Sequence, residues 1–580
     1  MSVSVFELNI STLRSHMPRK TRLLQKRPYK AKCIVLIDTK HVRLSMTSTY
    51  PPNRPSKLRA RLFRVWSRLM LLRKTSSQEP DTQITPSPSK QHWRRRDFLA
   101  ISAKASLLWS LGLQACGPTE PVETEEEKQR KAREKICRAE TSQDNAKAST
   151  LQPEATKQDD TIFSFGVQSG VMTSSGALLW TFVEDDTPKQ LRVWRKAEGD
   201  DSIQLVIDRE ATPKEGFIHE TVEGLKPGQR YHFAFFARDN NNDTARSRIG
   251  SFYTAFADNC LQPITLAATA CTYVKRYPVF KSLQWMARQD IHLSCHLGDM
   301  SYNDGAETKK AFHNKWKKTL QAPGYPEFLA HAGLYATWDD HESTDNSKLY
   351  DKPASFRELA RDSYFQHTVQ PQNLPNKRFW SSYRWGTTAE FFVLDCRGER
   401  QPDKNIYISQ EQMDWLKKSL KESPCHFKIL LNSVPIIKFT PIWIVAEDDR
   451  WEGYHNQREE LLDHITTQKI SNVWFLGGDY HIGVVAKVER EGPRSNLWEI
   501  LVGPGGNHPP EVLANVLGSM EGNEEAIAPP DQFKYIAGKA AATLITFDPI
   551  EDTVHVKFVD PETEKVDFET TLSQDPKKLA

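Results

Sequence analysis

Six side chains in three short phrases of the C-terminal half could hold metal ions. The phrases are HLGDMSYND (296–304), TWDDHES (337–343) and LGGDYHIG (476–483), which carry Asp299, Tyr302, Asp340, His341, Asp479 and His481. Each follows an apolar run of strand length, and a sheet presents ligands at its strand tips. Carboxylates offer hard oxygens to di- or trivalent cations, while imidazole or thiolate suits iron or zinc. Asp299 has two oxygens with which to bridge two ions, and Asp479 and His481, two apart on a loop, can face one side. Cys271 closes a further apolar run and could add a thiolate. Singly these features are ordinary: Gly-Asp after a strand is most often a turn, Asp339 and Asp340 could cap a helix, and a cysteine at a strand end is usually a small buried hydrophobe. Together, in this order, they point to metal-assisted phosphoester chemistry.

The elements that must position them alternate. Strands are expected at 264–270, 291–297, 334–337, 391–394, 428–433 and 473–476, and helices at 279–288, 410–421 and 457–467, a pattern that builds a layered α/β domain. Ahead of it, seven strand-length runs at 162–167, 177–183, 190–195, 202–208, 217–222, 230–238 and 248–254 are separated by turn signals such as KPG (226–228) and DNNN (239–242). They predict a β-sandwich. VEGLKPGQRY (222–231) resembles the loop and tyrosine strand of fibronectin type III modules, which act as scaffolds.

At 580 residues the chain exceeds one compact core. Residues 1–96 hold 22 Lys and Arg against four acids, whereas the whole chain has 78 against 74, so the remainder is net acidic. A basic head could suggest nucleic acid or an anionic membrane. WRRRDFLAISAKASLLWSLGLQACG (93–117) offers a simpler account, because it resembles a twin-arginine export signal, and no nucleic-acid partner is expected beyond a possible substrate. Its apolar stretch 98–115 is interrupted by Lys104 and suits a signal better than a membrane span. LQAC (113–116) resembles a bacterial lipobox, which would place lipid on Cys116 and make the mature protein a membrane-anchored lipoprotein of the periplasm or cell surface. Eight cysteines, at 33, 116, 137, 260, 271, 295, 396 and 425, form no CxxC pair or regular spacing, so neither a zinc ribbon nor a disulfide scaffold is expected. The expected organisation is a basic extension without regular structure at 1–92, with Met46 or Met70 as alternative starts. A signal at 93–116 follows, then a charged, solvated linker at 117–160 with a helix around 125–139, the β-sandwich at 161–258, the catalytic domain at 259–560 and a tail at 561–580.

Further phrases carry a family resemblance: FGVQSG (165–170), LWT (179–181), AC (270–271), WDDHE (338–342), LDCR (394–397), QMDWL (412–416), DRWEGY (449–454) and GDYH (478–481). Over about 162–560 the chain resembles the PhoD-like alkaline phosphatase family of the calcineurin-like metallophosphoesterases. The resemblance implies a layered metallophosphoesterase α/β sandwich preceded by a fibronectin III-like β-sandwich, and hydrolysis of phosphate mono- or diesters by metal-activated water. Where most metallophosphoesterases have Asp-x-His, this chain has ATAC (268–271). The family's use of cysteine and tyrosine implies Fe3+ held by Cys271, Asp299, Tyr302, Asp479 and His481, with two Ca2+ using Asp299, Asp340 and Asn346. The stretch STDNS (343–347) around Asn346 departs from the family's usual residues. His341, directly after Asp340, is the expected proton donor to the leaving group. Arg397, ahead of Arg400 or Arg384, could clamp a phosphate oxygen, the alternative for Arg397 being an ion pair with Asp395 or Asp479. GPGGNH (503–508) reads as a turn rather than a phosphate cradle. Two other functions fit less of the pattern: a phospholipase-like hydrolase of envelope lipids, and a catalytically inactive lipid-anchored binding protein, against which the full ligand set argues.

If 93–116 is a twin-arginine signal, Arg95→Lys together with Arg96→Lys will retain the protein in the cytoplasm. Fractionation of cells expressing the double variant measures this, and normal amounts outside the cytoplasm would refute the signal.

Overall fold

The computed structural model describes residues 2–6, 33–37, 42–43 and 125–577, with breaks at 140–141, 198, 200–201, 346–348, 373, 375–376, 379, 439–448, 510–513, 515–516, 518–527 and 576. The expected signal at 93–116, including Cys116, and the expected ligand Asn346 lie outside the described residues. Within 1–92, expected to lack regular structure, the described residues are three short antiparallel strands, Ser2–Phe6, Cys33–Ile37 and Val42–Arg43. Residues 118–580 form a second compact unit.

That unit opens with helix α1 (Glu125–Arg138), a two-residue strand at Lys147–Ala148 that pairs with Gln204 and Leu205, and eight longer strands: β1 (Val167–Thr173), β2 (Gly176–Phe182), β3 (Lys189–Lys196), β4 (Ile203–Ala211), β5 (Phe217–Val222), β6 (Arg230–Asp239), β7 (Asn242–Arg246) and β8 (Gly250–Tyr253). The strand expected at 162–167 is instead β1, which begins only at Val167, and β7 falls where a turn alone was expected. β3, β4, β6, β7 and β8 make one sheet. β1, β2 and β5 make the other, which does not end there: Leu334 pairs with Gly170, so the sandwich and the α/β region share a sheet. Tyr231 is buried on β6, accepting from the Lys226 amide at 2.8 Å and donating to Asp144 at 2.8 Å.

The α/β region adds β9 (Ile264–Thr272), α2 (Lys281–Met286), β10 (Leu293–Leu297), α3 (Lys309–Leu320), α4 (Tyr325–His331), β11 (Gly333–Thr337), α5 (Ala354–His367), β12 (Ser381–Trp385), β13 (Ala389–Val393), α6 (Gln410–Glu422), β14 (Phe427–Leu431), α7 (His455–Thr467), β15 (Val473–Gly477), β16 (Gly483–Lys487), β17 (Trp498–Leu501), β18 (Pro504–Gly506), β19 (Phe533–Ala537), β20 (Ala542–Asp548), β21 (Thr553–Val559) and β22 (Val566–Leu572). The first sheet runs β22-β21-β20-β9-β10-β11-β1-β2-β5, with β18 parallel to β9. The second runs β12-β13-β14-β15-β17-β16-β19. Strands β10, β11, β13, β14 and β15 are buried along their whole length, as parallel strands covered on both faces must be.

Alternation then sends their residues to two cores. Phe391, Ile429, Leu431, Trp474 and Leu476 pack between the two sheets with Leu266, Leu293 and Phe547. Phe392, Leu430, Val473 and Phe475 pack under α6 and α7 on Met413, Leu416, Leu420, Leu461 and Ile465. Each such side chain contributes about 1.5–3 kcal/mol by leaving water. Helix α6 forms where it does because Ser409 accepts from the Gln412 amide at 3.1 Å and Met413, Leu416 and Leu420 recur on one face.

Two segments differ from expectation. Residues 561–580, expected as a tail, supply the edge strand β22, which turns Phe568 toward the core. The 117–160 stretch, expected to be a solvated linker, is tied down in part: Cys137 is buried and disulfide-bonded to Cys260, and Asp144 receives Arg195 at 2.9 Å. A pair of cysteines 123 residues apart with no motif around them leaves no local signal. Among the described residues no helix is long and apolar enough to cross a membrane.

Closing so long a loop restricts the unfolded chain, so Cys260→Ser is expected to cost about 2–4 kcal/mol. Denaturant unfolding against the oxidised wild type checks this; equal midpoints would show that the bond contributes nothing.

Candidate metal centre

The strand tips of both sheets meet at one crevice. Cys271 ends β9, Asp299 follows β10, Asp339 and Asp340 follow β11, and Asp479 and His481 follow β15. Cys271, Asp299, Asp479 and His481 all have positive φ, between 54° and 68°, a backbone region that non-glycine residues rarely occupy and that clusters at functional sites. The glycines before the two aspartates allow the approach. A Cβ on Gly298 would lie 2.5 Å from the Asp339 Cβ, and one on Gly478 would lie 2.7 Å from the Leu297 carbonyl.

Three overlapping sets of ligand atoms lie within 4.8 Å of one another: Cys271, Asp299 and His481; Asp299, Asp340 and His341; and Asp339, Asp340 and Asp479. Asp299 and Asp340 each belong to two. The Tyr302 hydroxyl donates to Asp299 Oδ2 at 3.2 Å and lies 3.4 Å from His481 Nε2. His481 Nδ1 meets the His508 carbonyl at 2.8 Å, which fixes the proton there and leaves Nε2 as the ligand atom. Asp479 stands with Asp339 and Asp340 rather than in the Cys271 set.

Negative charge dominates this crevice. Burial, Asp299 and Asp479 push the Cys271 thiol well above its usual range, and burial, Asp299 and Cys271 do the same to Tyr302. Both can bind as anions only where a cation offsets the carboxylates. His341 Nδ1 lies 2.7 Å from Asp304, and its ring stacks 4.0 Å from that of Tyr302. Burial opposes its charge, but Asp299, Asp340 and the bond to Asp304 outweigh that and push it up to about 11.

Arg397, whose side chain is 2 % exposed, grips Asp339 through two nitrogens and reaches Asp449 at 3.1 Å and Asp479 at 3.3 Å. It meets Asp479, as the alternative reading had it. Asp395 is instead occupied by the Trp338 indole and the amides of Arg397 and Gly398.

Sequence reasoning passed over three residues. Glu342 is buried and accepts from the amides of Asp299 at 3.0 Å, Met300, Ser301 at 3.3 Å and Asp339 at 2.8 Å, so it folds the two ligand loops onto one carboxylate. Asp339, also buried, takes both Arg397 and the Ser433 hydroxyl at 2.8 Å. Asn507, brought in because β18 pairs with β9, donates to the Tyr302 hydroxyl at 2.6 Å and lies 3.2 Å from His481 Nε2. Glu342 and Asp339 flank expected ligands, and that adjacency was the available signal. For Asn507 the signal was the glycine-rich stretch 503–508, which reads as a turn.

Two β-sheets face to face, with carboxylates, imidazoles and a cysteine thiol at their tips, define a metallophosphoesterase α/β sandwich. Residues 266–541 match the model of the PhoD-like phosphatase family, and 146–256 match its N-terminal domain. The chain belongs to the PhoD-like phosphatase family. It is 26% identical over 383 residues to alkaline phosphatase D of Bacillus subtilis (strain 168), an alignment spanning 55% of this chain and 64% of that protein's length. The fold is shared with a solved PhoD structure at a TM-score of 0.60, with 20% identity over 71% of this chain and 89% of that one. It is also shared with a purple acid phosphatase from yellow lupin (Lupinus luteus) seeds at 0.51, with 15% identity over 72% and 75%.

Glu342→Gln would turn an amide NH2 toward amides that also donate. It is expected to lower stability by about 1.5–3 kcal/mol and to reduce bound metal. Thermal unfolding and metal analysis of the variant measure both; an unchanged protein would remove Glu342 from the organisation of the site.

Proposed function

We propose that the chain is an exported, metal-dependent phosphoesterase of the alkaline phosphatase D type that hydrolyses phosphate esters with metal-activated water. The observation that carries the reading is the overlap of three ligand sets through Asp299 and Asp340, a geometry suited to adjacent cations sharing carboxylates. The donor set Cys271, Asp299, Tyr302 and His481 fits a trivalent ion, for which Fe3+ is our assignment; Asp479, assigned to the same ion from the sequence, stands instead with Asp339 and Asp340. Two Ca2+ are assigned to Asp299, Asp340 and Asn346, all oxygen donors.

Bound ions supply Lewis acidity and lower the pKa of a coordinated water. The chain's residues do the rest. Asp299 and Asp340 hold the shared ligand oxygens. His341, with Nδ1 anchored on Asp304, holds a proton at Nε2 for the departing alkoxide. Arg397 orients Asp339 and Asp479 rather than reaching out to substrate, since its buried guanidinium is engaged by four carboxylates, those of Asp339, Asp340, Asp449 and Asp479. Export is supported by the Cys137–Cys260 bond, since disulfides persist in oxidising compartments. A lipid on Cys116 and a division between scaffold and catalytic domain near 258 complete the proposal.

The full-length protein, purified and assayed against alkyl and aryl phosphates with parallel metal analysis, tests the assignment. Asp299→Ala is expected to lose metal and activity together. His341→Ala should keep metal and slow alkyl esters by about 10²- to 10⁴-fold, and aryl esters by much less because their leaving groups need no proton. Metal loss in His341→Ala, or equal slowing of both esters, would make His341 a ligand or a structural residue. Visible charge-transfer absorption should accompany bound Fe3+, and a colourless, iron-free, fully active preparation would exclude iron.

A further inference from the structure

The loop after Cys271 carries the one arginine of the described residues that is tethered to the metal centre yet exposed. Arg276 donates from one terminal nitrogen to Asn507 Oδ1 at 3.0 Å, and that oxygen also takes the His508 amide at 2.9 Å. Two donors on Oδ1 settle the amide's orientation, so its NH2 end faces Tyr302 and His481. The guanidinium is therefore one side-chain amide removed from the ligand atoms. Its other nitrogens have no partner among the described residues, whereas those of Arg397 are taken by carboxylates.

Beside it the Tyr277 ring offers an aromatic shelf, with the His508 ring inclined to it by 59°. The Tyr277 hydroxyl lies 2.9 Å from His508 Nε2, the two rings are 5.1 Å apart, and His508 is exposed. Glu562, whose charge reaches Tyr277, is paired with Lys281. The rim thus offers a planar, always-charged donor fork next to a flat ring surface, at the border of a crevice that is otherwise acidic.

We propose that Arg276, with Tyr277 and His508, forms a leaving-group subsite that selects phosphate esters bearing a second anionic group, a carboxylate or a phosphate, beyond the scissile phosphorus. The tethered nitrogen holds the fork in place and the remaining N–H groups meet the second anion, while the shelf supports the atoms between. This inference rests on the phosphoesterase reading for the position of the phosphoryl group.

The test uses the full-length, metal-loaded protein and two non-hydrolysable probes, benzylphosphonate and 4-carboxybenzylphosphonate, in calorimetric titrations. Wild type is expected to bind the carboxylated probe about tenfold more tightly, the scale of one charge-assisted contact. Arg276→Met should bring the ratio of the two affinities to about one, and Arg276→Glu should invert it. Equal affinities in wild type, or a ratio that survives Arg276→Met, would overturn the subsite. Hydrolysis of phenyl phosphate and 4-carboxyphenyl phosphate is measured alongside. An intact, Arg276-dependent binding ratio without hydrolysis of either ester would support the subsite while refuting the phosphoesterase reading.

Discussion

Crowded negative charge is the constraint around which this molecule is built. Asp299, Asp339, Asp340 and Asp479 converge at the tips of two sheets, with the potential ligand oxygens of neighbouring members within 4.8 Å. Such carboxylates repel one another and lose hydration on burial, so the fold has to hold them together until cations share the load. Two buried devices do so. Arg397 neutralises the side of Asp339 and Asp479, and Glu342 gathers the amides of both ligand loops, so that neither loop can relax without exposing donors. One cation and one anion, each fully enclosed, set the geometry of the site.

Their effect depends on the sheets being close. The glycines at 298 and 478 let the loops touch where a methyl group would collide, and the positive φ of four site residues records the local strain accepted for that approach. The double core supplies the compensation, since the strands that deliver the ligands are buried on both faces. The sandwich contributes to the same structure. Its β1 extends the catalytic sheet, Trp180 donates to the Gln366 carbonyl at 2.9 Å, and Gln168 donates to that of His367 at 2.9 Å. It therefore braces the helices beside the centre while contributing none of the grouped ligands.

Much of this was legible in the chain. Apolar runs followed by Gly-Asp located the strand tips at 299 and 479, because a strand buried on both faces must be continuously apolar and its loop must be small to pass a neighbour. Cys271, Asp299, Tyr302 and His481 were singled out from their residue types and come together, as do Asp340 and His341. Less visible were features whose partners are remote. Asn507 looked like part of a turn because its role depends on β18 lying against β9, more than 200 residues away. Cys137 and Cys260 looked unpaired for the same reason, and Arg397 could not be divided between substrate and carboxylates without seeing which carboxylates surround it.

The sequence by itself determined the strands that carry the site, the family and the inventory of ligand-type side chains, because hydrophobic periodicity and short motifs are local properties of the chain. The tertiary structure decided which of those side chains face one another, which arginine is consumed inside and which is left at the rim, and that one carboxylate, Glu342, ties two loops 40 residues apart. Those outcomes follow from the packing of two sheets and from charge balance in a buried crevice. Both are sums over residues distant in sequence, and no local pattern encodes them.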